Sequence, residues 1–235
     1  MLFRSIGTYN ALEAGLSTLP TLERLVEFST SEVFGQHAFN VNENQVTTIG
    51  PVGEARWTYA VSKLSGEHMA HAYHAELGVP AVSVRPFNVY GPAQMEGGAI
   101  RAFIEKALAG ENLTIHGDGS QIRDFVYVDD AVEAFLAAGA TDAVNGEAFN
   151  VGGEEHISHR DLVTMLVDLA GSGRYTFVEW PPEKKAIDIG SFYADSSLFR
   201  SRTGWTPRVA LRDGFTRTFD YYRKHLQHYV GHGSV

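Results

Sequence analysis

Short apolar runs alternate with long amphipathic segments along this chain, and no other feature constrains its fold as strongly. The apolar runs predict strands, at 25–29, 81–84, 113–116, 125–128, 148–151 and 175–180. The amphipathic segments predict helices, at 8–19, 58–77, 98–108, 131–139, 159–169, 196–203 and 211–226. Strands that alternate with helices favour a mainly parallel sheet with helices on both faces. We therefore expect an α/β protein.

Two predictions concern the side chains of these helices. Asp129 and Asp130 precede the helix at 131–139 and are expected to cap its N-terminus, as Ser158 is for the helix at 159–169. The long helix at 58–77 is expected to turn its apolar residues toward the core, namely Val61, Leu64, Met69, Ala72 and Leu77.

Composition excludes several classes of protein. The 235 residues are enough for one large domain, or for one domain and a small lobe. A net charge of −9 without a run of Lys or Arg argues against a nucleic-acid partner or an anionic membrane surface. The absence of cysteine excludes disulfides and thiolate zinc sites, and the histidines at 68, 71 and 74 lack a carboxylate cluster, so we expect no metal site. The first residues lack the order of a signal peptide, and no apolar run approaches the ~20 residues of a membrane span, so a cytoplasmic protein is expected.

A tyrosine and a lysine one helical turn apart form the strongest local signal. Tyr59 and Lys63 share one face of the helix at 58–77. An ammonium near a phenol favours the phenolate, so we expect Lys63 to lower the pKa of Tyr59 toward neutrality. Such a phenol takes a proton from a sugar hydroxyl while hydride leaves the same carbon. The alternative is a surface tyrosine and lysine on an amphipathic helix.

A hydroxyl-rich loop with one carboxylate follows the first predicted strand. Thr30, Ser31 and Glu32 come directly after the apolar run, at the carboxyl end of a strand, where parallel sheets place their ligands. Thr30 is suited to hydrogen-bond a reacting hydroxyl, and Glu32 to act as an acid or a base. The alternative is an ordinary turn with a solvated glutamate.

Two further strand ends carry polar side chains. Asn88 follows the strand at 81–84, and Arg123 lies where a glycine-rich turn meets the strand at 125–128. A guanidinium in that place is suited to form a bidentate pair with a diphosphate. The alternative for Arg123 is an ion pair with Asp124 or Asp129.

These four segments, in this order, resemble the extended short-chain dehydrogenase/reductases that act on sugar nucleotides. That group includes 4-epimerases, 4,6-dehydratases and UDP-glucuronate decarboxylases. The resemblance runs from roughly Gly7 to Tyr222 and includes AFNVGG and GWTPRVALRDGF near the end. It implies a Rossmann-like, doubly wound parallel sheet with NAD as cofactor and a smaller α/β lobe for the nucleotide sugar. On this basis residues 1–90 form the catalytic part, and residues 91–235 form the lobe, interleaved with the last strands of the sheet.

The resemblance also implies a role for each matching residue. The catalytic set is Tyr59, Lys63, Thr30, Glu32 and Ser31, the last standing where glucose 4,6-dehydratases carry an aspartate. The cofactor-binding set is Tyr59, Lys63, Pro86, Phe87 and Val89. The substrate-binding set is Asn88 and Arg123 at the diphosphate, with Thr114, Ile115 and His116 beside the base.

The chain departs from the family pattern at its start. Members begin with a strand, a glycine-rich loop and a helix that cradle the dinucleotide pyrophosphate, and no such loop occurs here. We therefore expect a truncated or split enzyme, deficient in NAD binding, with the strand at 25–28 as an exposed apolar edge. The alternative is a dimer that covers this edge. Family members pair two helices across a homodimer, and here these are the helices at 8–19 and 58–77.

The residues leave the reaction open among three outcomes that share oxidation at the sugar C4. A 4-epimerase requires only Tyr59, Lys63 and Thr30 with bound cofactor, so it ranks first. UDP-glucuronate decarboxylation ranks second, because the run from Gly50 to Tyr59 resembles those enzymes but the expected arginine near Asp195 is missing. 4,6-Dehydration ranks third. A non-catalytic fragment that binds nucleotide sugars is the alternative of another class.

Overall fold

The computed structural model describes residues 2–36, 38–54, 57–94, 99–185 and 188–228. Within these ranges the helices are α1 (Leu2–Ser17), α2 (Trp57–Leu77), α3 (Ala99–Leu108), α4 (Val128–Ala140), α5 (His159–Ala170), α6 (Pro182–Lys185), α7 (Ser197–Thr203) and α8 (Leu211–His225). The strands are β1 (Leu25–Phe28), β2 (Phe39–Val41), β3 (Ala81–Pro86), β4 (Asn88–Tyr90), β5 (Asn112–His116), β6 (Ile122–Tyr127), β7 (Ala148–Val151), β8 (His156–Ser158), β9 (Arg174–Val178) and β10 (Tyr193–Ala194). Short 3₁₀ helices lie at Ser31–Phe34, Asp142–Val144 and Leu226–His228.

A parallel sheet in the order β1-β3-β7 forms the centre of the fold. Ser83 of β3 pairs with Glu27 of β1 on one side and with Ala148 of β7 on the other. Successive side chains of a strand point to opposite faces. Accordingly Ala81 packs with the core shared by α1 and α2, whereas Val82 packs with the core beneath α4 and α7. The predicted α/β fold with parallel strands and helices on both faces is confirmed.

The remaining strands form smaller sheets. β4 and β8 flank β6, the first parallel to it and the second antiparallel. β5 pairs with β9, and β2 with β10, both in parallel. Helices α3, α5 and α8 pack over β5 and β6, and their shared core contains Leu113, Phe125, Leu162 and Phe215. β7 belongs to the later part of the chain yet completes the central sheet; the division at residue 90 stays a prediction.

The side-chain predictions for two helices are wrong in part. Helix α4 begins at Val128, so Asp130 lies inside its first turn, and its carboxylate accepts the N–H groups of Arg208 and Val209, both at 3.0 Å. Ser158 does cap α5, accepting the N–H of Asp161 at 3.0 Å.

Helix α2 differs from prediction in the face that it buries. Two residues expected to face the core, Val61 and Leu77, are 44% and 43% exposed. The helix instead buries small and polar residues, among them Ser62, Gly66 and Glu67. A cluster of charged side chains between α2 and the sheet is the reason, because it places polar groups where an apolar stripe was expected.

Candidate active site

The end of β1 delivers a polar loop to the edge of the central sheet. Thr30 follows β1 with an extended backbone, and its Oγ1 accepts the N–H of Glu32 at 3.3 Å. This bond caps the 3₁₀ helix Ser31–Phe34, in which Val33 and Phe34 are buried and Glu32 is exposed. Val33 and Phe34 anchor the turn in the core, so the Thr30 hydroxyl and the Glu32 carboxylate are held at the edge of the sheet.

Tyr59 lies in the first turn of α2, half-buried beside this loop. The Thr30 hydroxyl lies close enough to the Tyr59 phenol to influence its pKa. Burial raises the pKa of Tyr59 above the ordinary value of 10.0, and the charge of Glu32 acts in the same direction. The Thr30 hydroxyl acts to lower that pKa, as does Arg4, whose guanidinium lies 5.0 Å from the centre of the ring. The structure therefore brings Tyr59, Thr30 and Glu32 together, as predicted.

Lys63 lies one turn further along α2, but its ammonium reaches β1. Its Nζ donates a hydrogen bond to the carbonyl of Phe28 and lies 4.0 Å from Oε1 of Glu27. The expectation that the pKa of Tyr59 is lowered toward neutrality is wrong here, because burial has the largest effect on that pKa and raises it. Helical spacing places two residues on one face, but it does not decide which partner a flexible lysine finds.

A cleft of about 740 Å³ opens beside Thr30. Its volume lies within the range of sites that bind small molecules. Seven of the predicted site residues line it, namely Thr30, Ser31, Glu32, Pro86, Phe87, Asn88 and Arg123. The carboxyl ends of β1 and β3 meet at this edge, which is where parallel sheets place ligands.

Arg123 brings a cation to the wall of the cleft. Its Nη1 donates hydrogen bonds to the carbonyls of Ile122 and Gly190, at 2.9 Å and 2.5 Å. Burial lowers the pKa of Arg123, and the carboxylate of Asp188, which lines the same cleft, opposes that effect. The two carbonyls fix one nitrogen of the guanidinium and thereby hold the group in place.

Asn88 faces the same cleft, with its side-chain amide bound to the neighbouring strand. Its Nδ2 donates to the carbonyl of Asp124 at 2.6 Å, and this bond fixes the side-chain amide at the wall of the cleft. Asp124 itself is fully buried, and its carboxylate accepts the N–H groups of Gly153 and Ala194. Its role is therefore structural, and the ion pair considered for Arg123 with Asp124 is replaced by these bonds.

The residues predicted on the nicotinamide side divide between two cavities. Pro86 and Phe87 line the main cleft, and Phe87 is otherwise buried. Val89 lines an adjoining pocket of about 180 Å³, which shares Asn88 and Arg123 with the main cleft.

The three residues predicted beside the base are placed differently from one another. Ile115 is 3% exposed in the core of the lobe, so its side chain does not reach a ligand. Thr114 is exposed on β5 and pairs with Thr176 of β9. The ring of His116 lies 5.3 Å from that of Trp180, which lines the cleft.

Sequence reasoning missed several residues of the cleft wall: Trp57, Trp180, Asp188, Ile189 and Phe192. A Cβ on Gly117 would lie 2.3 Å from Nε1 of Trp180, so this glycine leaves room for the indole. The turn at 117–119 was the available signal, because a tight turn opposite a tryptophan permits close approach of an aromatic ring.

Two further properties follow from the part of the chain that the structure describes. There, no three His, Cys, Asp or Glu side chains gather in a group that could hold a metal ion. Nor does any described helix combine the length and apolar character that crossing a bilayer requires.

A parallel sheet with helices on both faces and a cleft at the carboxyl ends of its strands is the arrangement of doubly wound, Rossmann-like α/β proteins. The chain belongs to the NAD dependent epimerase/dehydratase family, whose sequence profile matches residues 4–152.

Relatives within this family have different names. An uncharacterised UDP-glucose epimerase of Bacillus subtilis is 34% identical over 86% of this chain and 61% of its own length. A UDP-N-acetyl-alpha-D-glucosaminuronate decarboxylase of Bacillus cytotoxicus is 33% identical over 93% of this chain and 68% of its own. The crystal structure of UDP-glucuronic acid 4-epimerase from Bacillus cereus, in complex with UDP-glucuronic acid and NAD, is 34% identical with a TM-score of 0.81. The likeness extends over 94% of this chain and over 67% of the Bacillus cereus chain. The chain thus spans about two thirds of the length of these relatives.

Proposed function

We propose that this chain carries the catalytic part of a UDP-sugar 4-epimerase that depends on NAD. The observation that carries the proposal is the proximity of the Tyr59 phenol to Thr30, which lines the cleft, with Lys63 one turn away on α2. A phenol in this place takes the proton of a sugar C4 hydroxyl that Thr30 helps to orient. The relatives that are named as epimerases of UDP-sugars support the same substrate class.

The proton transfer depends on how strongly the surroundings stabilise the Tyr59 phenolate. Burial raises the pKa of Tyr59, which disfavours the basic form, while the nearby Thr30 hydroxyl favours it. When the C4 ketone is reduced again, the same phenol returns the proton to the sugar oxygen. Epimerisation therefore needs one residue that serves as base and then as acid, with no base for the C5 proton and no acid for the C6 hydroxyl.

The residues beside the cleft fit the nicotinamide half of NAD. The Lys63 ammonium and the Tyr59 hydroxyl would hold the ribose, and Pro86, Phe87 and Val89 would form the apolar wall beside the ring. The Lys63 side chain is 19% exposed, so it is only partly covered by the protein. When bound, NAD supplies the acceptor and donor of the C4 hydride.

The opposite wall suits the nucleotide diphosphate. Arg123 offers a cation held by two backbone carbonyls, and Asn88 offers a side-chain amide beside it. Trp180 presents an indole on which a pyrimidine base would stack.

Glu32 favours 4,6-dehydration as the second candidate. Its carboxylate lines the cleft and acts on the pKa of Tyr59, so it lies near the phenol and could remove the proton at C5. Ser31, at the position of the second acid in glucose 4,6-dehydratases, is 6% exposed and carries no carboxyl group. The acid needed for elimination is therefore missing at that position, which ranks dehydration behind epimerisation.

Product analysis tests the proposal. The chain, rebuilt with the glycine-rich segment that the family carries, is incubated with NAD and, in separate samples, UDP-glucose, UDP-glucuronate and dTDP-glucose, and the products are followed by NMR. We expect the C4 epimer of a UDP-sugar, and no product from Tyr59→Phe. A 4-keto-6-deoxy sugar would establish dehydration instead, and a pentose would establish decarboxylation.

Calorimetry separates an enzyme from a binding module. Titration with NAD and with UDP measures each affinity on the same preparation, with Arg123→Ala as the matched variant for UDP. Binding of both ligands without turnover of any sugar contradicts the epimerase proposal and favours a nucleotide-sugar-binding role. Tight UDP binding that Arg123→Ala leaves unchanged contradicts the assignment of the diphosphate to this arginine.

A further inference from the structure

A carboxylate lies inside the central sheet, where a charge is rarely found. Glu27 of β1 is 5% exposed and points its side chain toward α2. Gly66 of α2 faces it, because a Cβ at Gly66 would lie 2.9 Å from Oε1 of Glu27. The helix therefore leaves the space that this carboxylate occupies.

Charged groups from two elements surround Glu27. Lys63 and Glu67 approach from α2, Arg85 approaches from β3, and Ser83 of β3 contributes a hydrogen bond. Arg85 is already bound in bidentate fashion to Glu67, at 2.7 Å and 2.6 Å. Lys63 is thus the cation that Glu27 does not share with another carboxylate of this cluster.

The charges that most affect the pKa of Glu27 do not come from α1 or α4, the other two helices that pack on β1. At Gly66 the neighbour from α1 is a methyl group of Thr8, and the guanidinium of Arg4, also on α1, lies over the ring of Tyr59. From α4 the contact is apolar: Phe135 stacks on Phe28 with ring centres 3.8 Å apart.

The protonation of Glu27 is balanced close to neutral pH. Burial raises its pKa from 4.5 to about 7, Lys63 lowers it, and Glu67 raises it again. Its Oε2 is buried without a hydrogen-bond partner among the described residues, which adds to the penalty on the charged form. The charge beside Lys63 therefore changes within the pH range of most enzymes.

Glu27 also acts on the phenol across the sheet edge. It is one of the charges that raise the pKa of Tyr59, whereas Lys63, held on β1, is not among the main influences on that pKa. The ammonium is directed away from the phenol by two oxygens, the carbonyl of Phe28 and the carboxylate of Glu27.

We propose that Glu27 is a positioning residue for Lys63: its buried carboxylate holds the ammonium against β1 and so governs how strongly that cation acts on Tyr59. The inference rests on the proposed function only in taking Tyr59 as the reacting group. With Glu27 charged, Lys63 stays on the strand and the phenol keeps its proton. With Glu27 neutral, the ammonium is held by the carbonyl of Phe28 alone and becomes free to stabilise the phenolate.

NMR titration of Tyr59 tests this without any substrate. The chain is labelled with ¹³Cζ-tyrosine, and the Tyr59 resonance is identified by its loss in Tyr59→Phe. Glu27→Gln keeps the shape of the side chain and removes its charge, and we expect it to lower the pKa of Tyr59 by about one pH unit. In the wild type the same resonance should show a small inflection near the pKa of Glu27, about 7, and this inflection should vanish in Glu27→Gln.

A double-mutant cycle with Lys63→Met decides whether Glu27 acts through the lysine. We expect Glu27→Gln to shift the pKa of Tyr59 by less than half as much when Lys63 is absent. An equal shift in both backgrounds overturns the proposal, because Glu27 would then act on the phenol directly. No shift in either background overturns it as well.

Two further variants serve as controls for the Glu27→Gln experiment. Glu43→Gln removes another partly buried carboxylate, which accepts the N–H of Asn150, and it should leave the Tyr59 titration unchanged. Glu27→Asp retains the carboxylate charge, so the pKa of Tyr59 in this variant should stay close to that of the wild type. This variant keeps the test decisive even if Glu27→Gln folds poorly. Absence of sugar turnover would count against the proposed function and leave this cycle intact, whereas an uncoupled cycle would count against Glu27 alone.

Discussion

At the scale of single residues, the Tyr59 phenol is subject to opposing effects that substitution can separate. Thr30→Val removes the hydroxyl that lowers the pKa of Tyr59 while keeping the size of the side chain. Loss of a hydroxyl that can donate to the phenolate, worth about 1 kcal/mol, should raise that pKa by about 0.7. The ¹³Cζ titration of Tyr59 measures the shift, and slower turnover at neutral pH should accompany it.

Thr21→Val is the matched control for this substitution. Thr21 lies in the exposed segment before β1, and its hydroxyl donates to the carbonyl of Thr18. The control should leave the Tyr59 titration unchanged. An identical pKa for Tyr59 in the wild type and in Thr30→Val would show that the two hydroxyls do not interact in solution.

The stability of the protein should depend on pH through Glu27. Its pKa is about 7 in the folded chain and 4.5 in an unfolded one, so the folded state binds the proton more tightly. The free energy of unfolding therefore decreases as pH rises from 4.5 to 7, and the decrease is complete above 7. Glu27→Gln should remove this dependence. Compared with the wild type, its free energy of unfolding should be higher at pH 8 than at pH 4.5 by up to about 3 kcal/mol.

Urea denaturation at pH 4.5 and at pH 8 measures this difference. Glu76→Gln is the control, since Glu76 is an exposed carboxylate on the same helix. The unfolding free energy of Glu27→Gln is subtracted from that of the wild type at each pH. If this difference is the same at pH 4.5 and at pH 8, Glu27 is not a buried group that titrates in this range.

At the scale of elements, a buried ion pair with two hydrogen bonds joins α2 to β3 of the central sheet. Arg85 of β3 and Glu67 of α2 are both nearly buried, and the guanidinium binds the carboxylate through two hydrogen bonds. In Arg85→Met the Glu67 carboxylate stays buried, and of the partners described here it keeps only the hydroxyl of Ser29. Removal of one member of a buried pair should lower the free energy of unfolding by about 3–5 kcal/mol, measured by urea denaturation.

An exposed pair elsewhere in the chain gives the matched comparison. Arg212 of α8 binds Asp168 of α5, and both side chains are more than half exposed. Arg212→Met should lower the free energy of unfolding by no more than about 1 kcal/mol. Similar losses in the two variants would mean that burial does not govern the strength of the Arg85–Glu67 pair.

The same pair explains which features of α2 the sequence could predict. Helical spacing located the helix and placed Tyr59 and Lys63 on one side of it, since that depends only on local geometry. The buried face was mispredicted because Glu67 and Gly66 point inward to a partner on β3 and a carboxylate on β1. Contacts made by residues distant in sequence cannot be seen in an apolar pattern.

The candidate site shows the same limit. Thr30, Glu32 and Asn88 were predictable because each follows an apolar strand, and strand ends collect at one edge of a parallel sheet. Trp180 reaches the cleft from just beyond the end of β9, which pairs with β5, and Phe192 reaches it through its bridge to Arg123 of β6. Only the tertiary fold reveals these pairings.

At the scale of the whole molecule, two exposed apolar surfaces could join copies of the chain. The α1 surface comprises Phe3, Ile6 and Tyr9, which are 91%, 50% and 46% exposed and recur every three residues along one side of the helix. The sheet-edge surface comprises Phe28 of β1 with Val132 and Leu136 of α4, which are 55%, 50% and 62% exposed. Apolar groups exposed in such clusters mark interaction sites more often than free surface.

We expect a homodimer formed through the α1 surface rather than through the sheet edge. β1 is only four residues long, and a short edge strand offers few backbone groups to a partner strand, whereas a helix face needs none. Ile6→Lys should therefore reduce the mass measured by light scattering to that of a monomer, while Leu136→Lys and Val52→Lys, the latter on an isolated exposed loop, should not. If Leu136→Lys alone separates the copies, association occurs at the sheet edge instead. In that case the apolar side chains beside β1 outweigh the shortness of the strand.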